Sequence, residues 1–487
     1  MDIVFVTPEI VPFSKATGIG DVVGALPKAL RALGHRVHVV SLLYGSIDPA
    51  ASALARRLSK LQVPLGNETL AADLYETRLP SGVHVTLLAV PGVTDRGGVY
   101  GEADDDRRFA LLSRGAVEWL RVQAPMPSVV HAHDWPAALV PAYLRMLAET
   151  DPRLASIRTV LTLHQTAAQG VFGRDRAAMS GLSDRWLVNE PGPDARISWL
   201  RTGITHADRI TLLSSGFARD LLAGTVSPEL HECIAARARE TTGIQIGVDF
   251  AVWNPTTDPH LVTRYDAEQP AGKARCKADL QTRCNLALRP DVPLFAWIGR
   301  FDHARGIDAL LDAAPALVRQ SLQLVLLGEG DDAHVEALNE LARRFPERVH
   351  VRRGFDDAFA HQLYAAADFY VAPSREEPSG LSCLYAMRYG TVPVVRPVGG
   401  HHDAAVDCDS TLETGTAFVI DAATGDDLQG GIARALGAYE NAPAFAMLRR
   451  RVMRRDFSWE RSARRYAALY EAMQPAVVAD TVTTVGS

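Results

Sequence analysis

Two parts of this chain share one rhythm, a short β-branched run followed by a longer helical stretch, and between them that rhythm breaks. The first series opens with Ile3 to Val6, a helix from about Asp21 to Leu33, and Val37 to Ser41. It continues with apolar runs at Val85 to Val90, Ser128 to Ala132, Thr159 to Leu163 and Arg209 to Leu213. Such alternation predicts βαβ units and parallel sheets. Between about Thr241 and Ala287 the segments Trp253-Asn254-Pro255-Thr256-Thr257-Asp258-Pro259 and Gln269-Pro270-Ala271-Gly272 are expected to sustain neither a helix nor a central strand. A second series follows at Pro293 to Ile298, Gln323 to Leu327, Val349 to Arg352, Phe369 to Ala372 and Val392 to Val395. The reading is α/β, with two Rossmann-like doubly wound domains facing a central cleft and the ligands beyond the carboxyl ends of the strands. The expected divisions are an N-terminal domain over 1–245, a C-terminal domain over 246–457, a helix over 458–476 that returns to the first lobe, and a flexible tail over 477–487. Length agrees, because 487 residues exceed the roughly 250–300 at which one core stops growing.

Composition closes off several classes. With 47% hydrophobic residues the chain is not mainly disordered. Its 51 Lys and Arg against 57 Asp and Glu give a net charge of −6 and no basic run, which argues against nucleic acid as a partner. No stretch reaches the roughly 20 apolar residues that cross a bilayer, so no membrane partner is expected. The start, Met1-Asp2-Ile3-Val4-Phe5-Val6, lacks the basic region of a secretory signal, and Asn67-Glu68-Thr69 therefore reads as a surface loop rather than a glycosylation acceptor. Five dispersed cysteines without a CxxC pair fit reduced thiols and a cytoplasmic location.

Candidate chemistry gathers where strands end. The loop Phe13 to Asp21 offers small residues entering a helix, with Lys15 and Gly18 placed for an anion; a tight turn with an exposed lysine is the other reading. In His131-Ala132-His133-Asp134-Trp135 the two histidines share a strand face, as a metal pair would. No later ligand pair completes such a site, so hydrogen bonding is preferred and no metal is expected. His164 emerges at the end of a strand, where substrate contact is possible. His401-His402-Asp403 reads by itself as a capping or surface group.

The second series adds charge. Arg300 and Arg305 flank a helix start, and forked guanidiniums beside a helix N-terminus suit a diphosphate. Glu377 precedes another helix start, where backbone N–H groups at Ser379, Gly380 and Leu381 are available to hydroxyls or phosphate. A carboxylate there can stabilise positive charge developing at a sugar carbon, or merely cap the helix. Phe355 is open to two readings, a base-stacking ring or a core aromatic.

Together these residues resemble the bacterial glycogen synthase and plant starch synthase family, retaining glucosyltransferases of the GT-B fold. The match runs in order through Glu9, the Lys15 to Val22 loop, His131 to Trp135, His164, Gln169-Gly170, Trp253-Asn254-Pro255, Arg300, Arg305, Pro373-Ser374-Arg375, Glu377-Pro378, Gly380-Leu381, Arg388-Tyr389-Gly390-Thr391 and Gly399-Gly400. The resemblance implies glucose transfer from ADP-glucose to the non-reducing end of an α-1,4-glucan, with no cofactor and no bound metal. It implies that Arg300 and Arg305 hold the diphosphate, Glu377 supports the transition state and His164 bonds the donor glucose. Lys15, Gly18, Ser379, Gly380, Leu381 and Phe355 fall on the donor side, and Glu9, Asp21, His133, Asp134 and Trp135 on the acceptor side. Retention in this family is discussed as front-face attack, in which the departing phosphate takes the acceptor proton.

The chain also departs from the family pattern. Lys-Thr-Gly-Gly-Leu reads Lys15-Ala16-Thr17-Gly18-Ile19, which puts a β-branched residue where glycine freedom is usual. Asn-Gly-Ile-Asp reads Ile246-Gly247-Val248-Asp249, Ser379 replaces a cysteine, His401 replaces a leucine, and Arg305 stands for the commoner lysine. Three functions follow: an ADP-glucose-dependent α-glucan synthase, a retaining GT-B transferase using UDP-glucose or a small acceptor, and an inert glycan-binding relative.

Overall fold

The structure is a computed structural model describing residues 1–192 and 196–474; the expected tail over 477–487 lies outside the described residues. The chain forms two compact units. Among the described residues, the first comprises 1–163, 167–192, 196–210 and 460–474, and the second 164–166 and 211–459. The division thus falls at 210, ahead of the expected 245, and three residues at 164–166 belong to the second unit.

The first unit is built on parallel strands in the spatial order Arg158–Leu163, Val129–His133, Asp2–Val6, Arg36–Leu42 and His84–Ala89. Ile3 pairs with Val37 on one side and Val129 on the other, so the first strand is central; Ile3, Val4, Phe5 and Val6 are all buried. That burial on both faces explains an unbroken apolar run instead of alternation. Beyond His84–Ala89 the sheet turns antiparallel through Glu68–Arg78, which also pairs with Leu61–Leu65. These strands escape the βαβ reading because they form a hairpin around Gly66-Asn67, with Leu65 opposite Glu68. The helix Trp459–Ala472 belongs almost wholly to this unit: Tyr470 Oη lies 2.7 Å from His131 Nδ1, and Thr162 Oγ1 lies 2.5 Å from His131 Nε2.

The second unit holds a parallel sheet in the order Val349–Arg353, Gln323–Gly328, Leu294–Ile298, Phe369–Ala372, Val392–Val395 and Phe418–Val419. Phe295 and Phe369 are register partners, and their rings stack 4.8 Å apart in the core. One expectation fails here, since Ala271–Arg283 is a helix. Pro270 stands at its N-cap, where a missing N–H costs nothing. The Trp253-Asn254-Pro255 motif serves packing: Trp253 stacks on His361 at 3.7 Å and on Tyr385 at 3.9 Å. Asp258 receives the Tyr389 hydroxyl at 2.5 Å and faces His361 Nδ1 at 2.7 Å. No described helix is long and apolar enough to cross a membrane, and all five cysteines are free.

Candidate active site

In the first unit the organising residue is Glu9, which is completely buried. Its Oε2 accepts the amides of Ala16 at 2.7 Å and Thr17 at 2.8 Å, and its Oε1 accepts the hydroxyls of Thr17 and Tyr100, each at 2.6 Å. Four donors meet the carboxylate, so Glu9 shapes the Lys15 loop. Thr17 resolves the glycine question as well. Its φ of −136° is ordinary extended backbone, and its hydroxyl caps the helix Gly18–Ala32 by accepting the Ile19 amide at 3.2 Å. The helix therefore starts three residues earlier than expected. Lys15 Nζ pairs with Asp21 Oδ1 at 2.9 Å, which ties that lysine across the first turn of the helix.

His133 and Asp134 are also interior. His133 is fully enclosed, stacked on Phe5 at 5.3 Å and 4.2 Å from the His131 ring, because both faces of its strand are covered. Asp134, with φ +58°, turns the chain at the strand end. Trp135 packs against Phe109 at 4.9 Å, and a Cβ at Gly170 would come within 2.4 Å of its ring. This is the physical reason for glycine after Gln169. His133, Asp134 and Trp135, which the resemblance puts on the acceptor side, are all buried.

The second unit brings Arg305 and Glu377 together in a direct ion pair through Glu377 Oε2. Glu377 Oε1 accepts the Gly380 amide at 3.2 Å, and the Glu377 carbonyl accepts the Gly400 amide at 2.7 Å. Burial works to raise the Glu377 pKa, but the Arg305 charge, His401 and the hydrogen bonds outweigh it and hold the carboxyl below its usual range. Burial likewise opposes the Arg305 charge, yet Glu377 leaves its pKa raised.

Arg300 stands apart from this pair. Its side chain is 77% exposed and it donates from Nε to Asp302 Oδ2 at 2.8 Å. Asp302 Oδ1 accepts the Arg305 amide at 2.9 Å, so one carboxylate fixes both arginine positions. Sequence reasoning passed over Asp302, although an acid two residues after one arginine and three before the other was the available signal.

The turn after Glu377 is more self-contained than expected. The amide of Gly380 is taken by Glu377 and that of Leu381 by Ser379 Oγ at 3.2 Å, so these two donors are spent within the turn. Gly380 has φ +69°, and Gly400 is packed so tightly that a Cβ would lie 2.1 Å from the Ser379 carbonyl. The Glu376 carboxylate accepts the Thr166 hydroxyl at 2.8 Å, and Ser214 Oγ donates to the Pro378 carbonyl at 2.9 Å. His164, which directly follows the strand Arg158–Leu163, is buried, and burial pushes its pKa down to about 3, so its ring is neutral at pH 7.

His401 corrects a further expectation: it is fully buried, with Nε2 3.9 Å from Glu377 Oε2. Asp403 does cap, accepting the amides of Ser215 at 2.6 Å and Gly216 at 3.1 Å. Phe355 is 73% exposed, which excludes the core reading and leaves its ring at the surface. Ile246 is buried.

Two parallel α/β units with an arginine and carboxylate pair at a helix start define the class: this is a glycosyltransferase of the GT-B fold. The family described as starch synthase catalytic domain matches residues 2–236, and that described as glycosyl transferases group 1 matches residues 292–437. A glycogen synthase of Anaeromyxobacter dehalogenans is 40% identical over 484 residues, covering 98% of this chain and 100% of that protein. Glycogen synthase 1 of Geobacter sulfurreducens is 36% identical, with 96% of each chain covered. The catalytic domain of starch synthase IV from Arabidopsis thaliana, solved with ADP and acarbose, superposes with a TM-score of 0.90 at 27% identity, covering 96% of this chain and 98% of that one. The chain belongs to the glycogen synthase and starch synthase family.

Proposed function

We propose that this protein is a retaining glucosyltransferase that moves glucose from ADP-glucose to the non-reducing end of an α-1,4-glucan. The observation that carries the reading is the ion pair of Arg305 with the buried Glu377, with Arg300 nearby in sequence and anchored through the same Asp302. In the reaction the bond between the sugar C1 and the phosphate oxygen breaks, and its electron pair leaves with ADP. The acceptor hydroxyl oxygen bonds to C1 on the same face, and its proton passes to the departing phosphate oxygen. Arg300 and Arg305 meet the diphosphate charge, which is largest as the leaving group departs. Glu377, kept ionised, stabilises positive charge growing at C1. Neutral His164 exchanges a hydrogen bond with the sugar without adding charge.

Lys15, paired with Asp21, and the Thr17 cap hold the loop that enters the helix Gly18–Ala32. Phe355 offers an exposed ring for the base. This division of labour requires no cofactor, and turnover is expected to persist in EDTA. A cytoplasmic enzyme with reduced thiols fits the same reading.

The test supplies glycogen or maltooligosaccharides with ADP-glucose or UDP-glucose separately, and reads released nucleoside diphosphate and chain extension. Extension with ADP-glucose supports the proposal. Extension with UDP-glucose alone overturns the donor assignment, and silence with both donors favours an inert glycan-binding role.

A further inference from the structure

The residue after Gly399-Gly400 is where this chain adds an ionisable group to its own site. His401 is completely buried, and its Nδ1 lies 3.1 Å from the Arg396 carbonyl oxygen. A carbonyl only accepts, so Nδ1 carries the proton, and in the neutral ring Nε2 is a bare lone pair. That buried atom has no hydrogen-bond partner among the described residues. It faces Glu377 Oε2 at 3.9 Å, the same oxygen that Arg305 holds. The leucine of the family pattern would be electrically silent there. An imidazole has two states: one turns a lone pair toward the carboxylate, and the other turns an N–H and a positive charge toward it.

We propose that His401 is a positioning residue for Glu377, whose neutral form keeps the carboxylate's negative charge available to the reaction and whose protonation withdraws it. The proposal rests on the role given to Glu377 above. Four groups act on the ring besides burial: Glu377 and the Arg396 carbonyl favour the charged form, and Arg305 and His402 oppose it. Burial is the largest influence and leaves the ring less basic than an ordinary histidine, so the working form prevails at pH 7. Acid then inhibits through His401. The loss appears in kcat rather than in donor KM, because the charge of Glu377 matters most when C1 becomes positive.

The experiment measures kcat and donor KM from pH 8 to pH 5 for the native protein, His401→Leu and His401→Gln, each scaled to its own value at pH 8. Once past the protonation, native kcat is expected to fall by about tenfold per pH unit, and both variants by less than about twofold. An acid limb that persists in both variants overturns the proposal. A second readout needs no turnover: the NMR resonance of ¹³C-labelled His401, assigned by its loss in His401→Leu, is followed through pH in native and Glu377→Gln protein. Loss of the neighbouring charge should move the titration to lower pH, and an unmoved titration refutes the coupling. A shifted titration in a protein that transfers sugar from neither donor would instead uphold the His401–Glu377 coupling and sink the Glu377 reading.

Discussion

Replacing Glu9 with alanine removes, in one step, the acceptor of the Ala16 and Thr17 amides at 2.7 and 2.8 Å and of two hydroxyls at 2.6 Å. A hydrogen bond to a charged group contributes about 1.5–3 kcal/mol, so the two amide bonds alone hold this segment by at least about 3 kcal/mol. With about 1.4 kcal/mol per factor of ten, amide exchange at Ala16 and Thr17 should accelerate about 150-fold in Glu9→Ala. The central strand Asp2–Val6 should keep its protection. Hydrogen–deuterium exchange resolved to single residues reads both. Acceleration below about fivefold would refute the reasoning and show that the Thr17 cap and the Lys15–Asp21 pair hold the loop without Glu9.

Other outcomes follow from the same geometry. Glu377→Gln keeps the shape of the turn and removes the charge, so kcat should drop by about a hundredfold or more with ADP affinity retained; unchanged turnover would remove Glu377 from the mechanism. Arg300→Ala should weaken ADP binding by about tenfold in calorimetry, and Arg305→Ala by more, since Arg300 is mostly exposed and Arg305 is locked to Glu377. His38 and His164 are both pushed down to about 3 by burial, against 6.5 for the free side chain. Between those values the unfolded chain takes up protons that the folded one refuses, so stability is full above pH 6.5 and falls as pH is lowered through the window. A urea midpoint no lower at pH 5 than at pH 7.5 would contradict this. Gly400→Ala should disrupt the turn at Ser379, because the added Cβ meets backbone at 2.1 Å, and a normal melting profile would show that the turn can give way.

The sequence rhythm made the parallel strands readable because most of them are buried on both faces and so appear as short apolar runs. The hairpin over Leu61–Leu65 and Glu68–Arg78 stayed hidden, since Leu61–Leu65 alternates buried and exposed residues and Glu68–Arg78 is only partly buried, so neither shows an apolar run. At the site, Arg305 and Glu377 were legible as charges at helix starts. What could not be read was partnership: the fourth donor to Glu9 comes from Tyr100, distant in sequence. His401 looked like a cap, and only the packing of Gly400 on Ser379 turns its ring toward Glu377. Thr17 looked like a strain, because a residue type carries no φ until the loop is built.

The helix Trp459–Ala472 gives the chain's last turns an allegiance that their position conceals. Numbered after the second unit, it fills the core of the first with Tyr466 and Tyr470, both fully buried, and Tyr470 reaches His131 beneath the first sheet's central strands. A fragment ending at residue 210 is therefore not the first unit but that unit with part of its interior missing. A premature stop near residue 458 would leave the arginines and Glu377 untouched and strike the fold of the Lys15 loop's own unit instead.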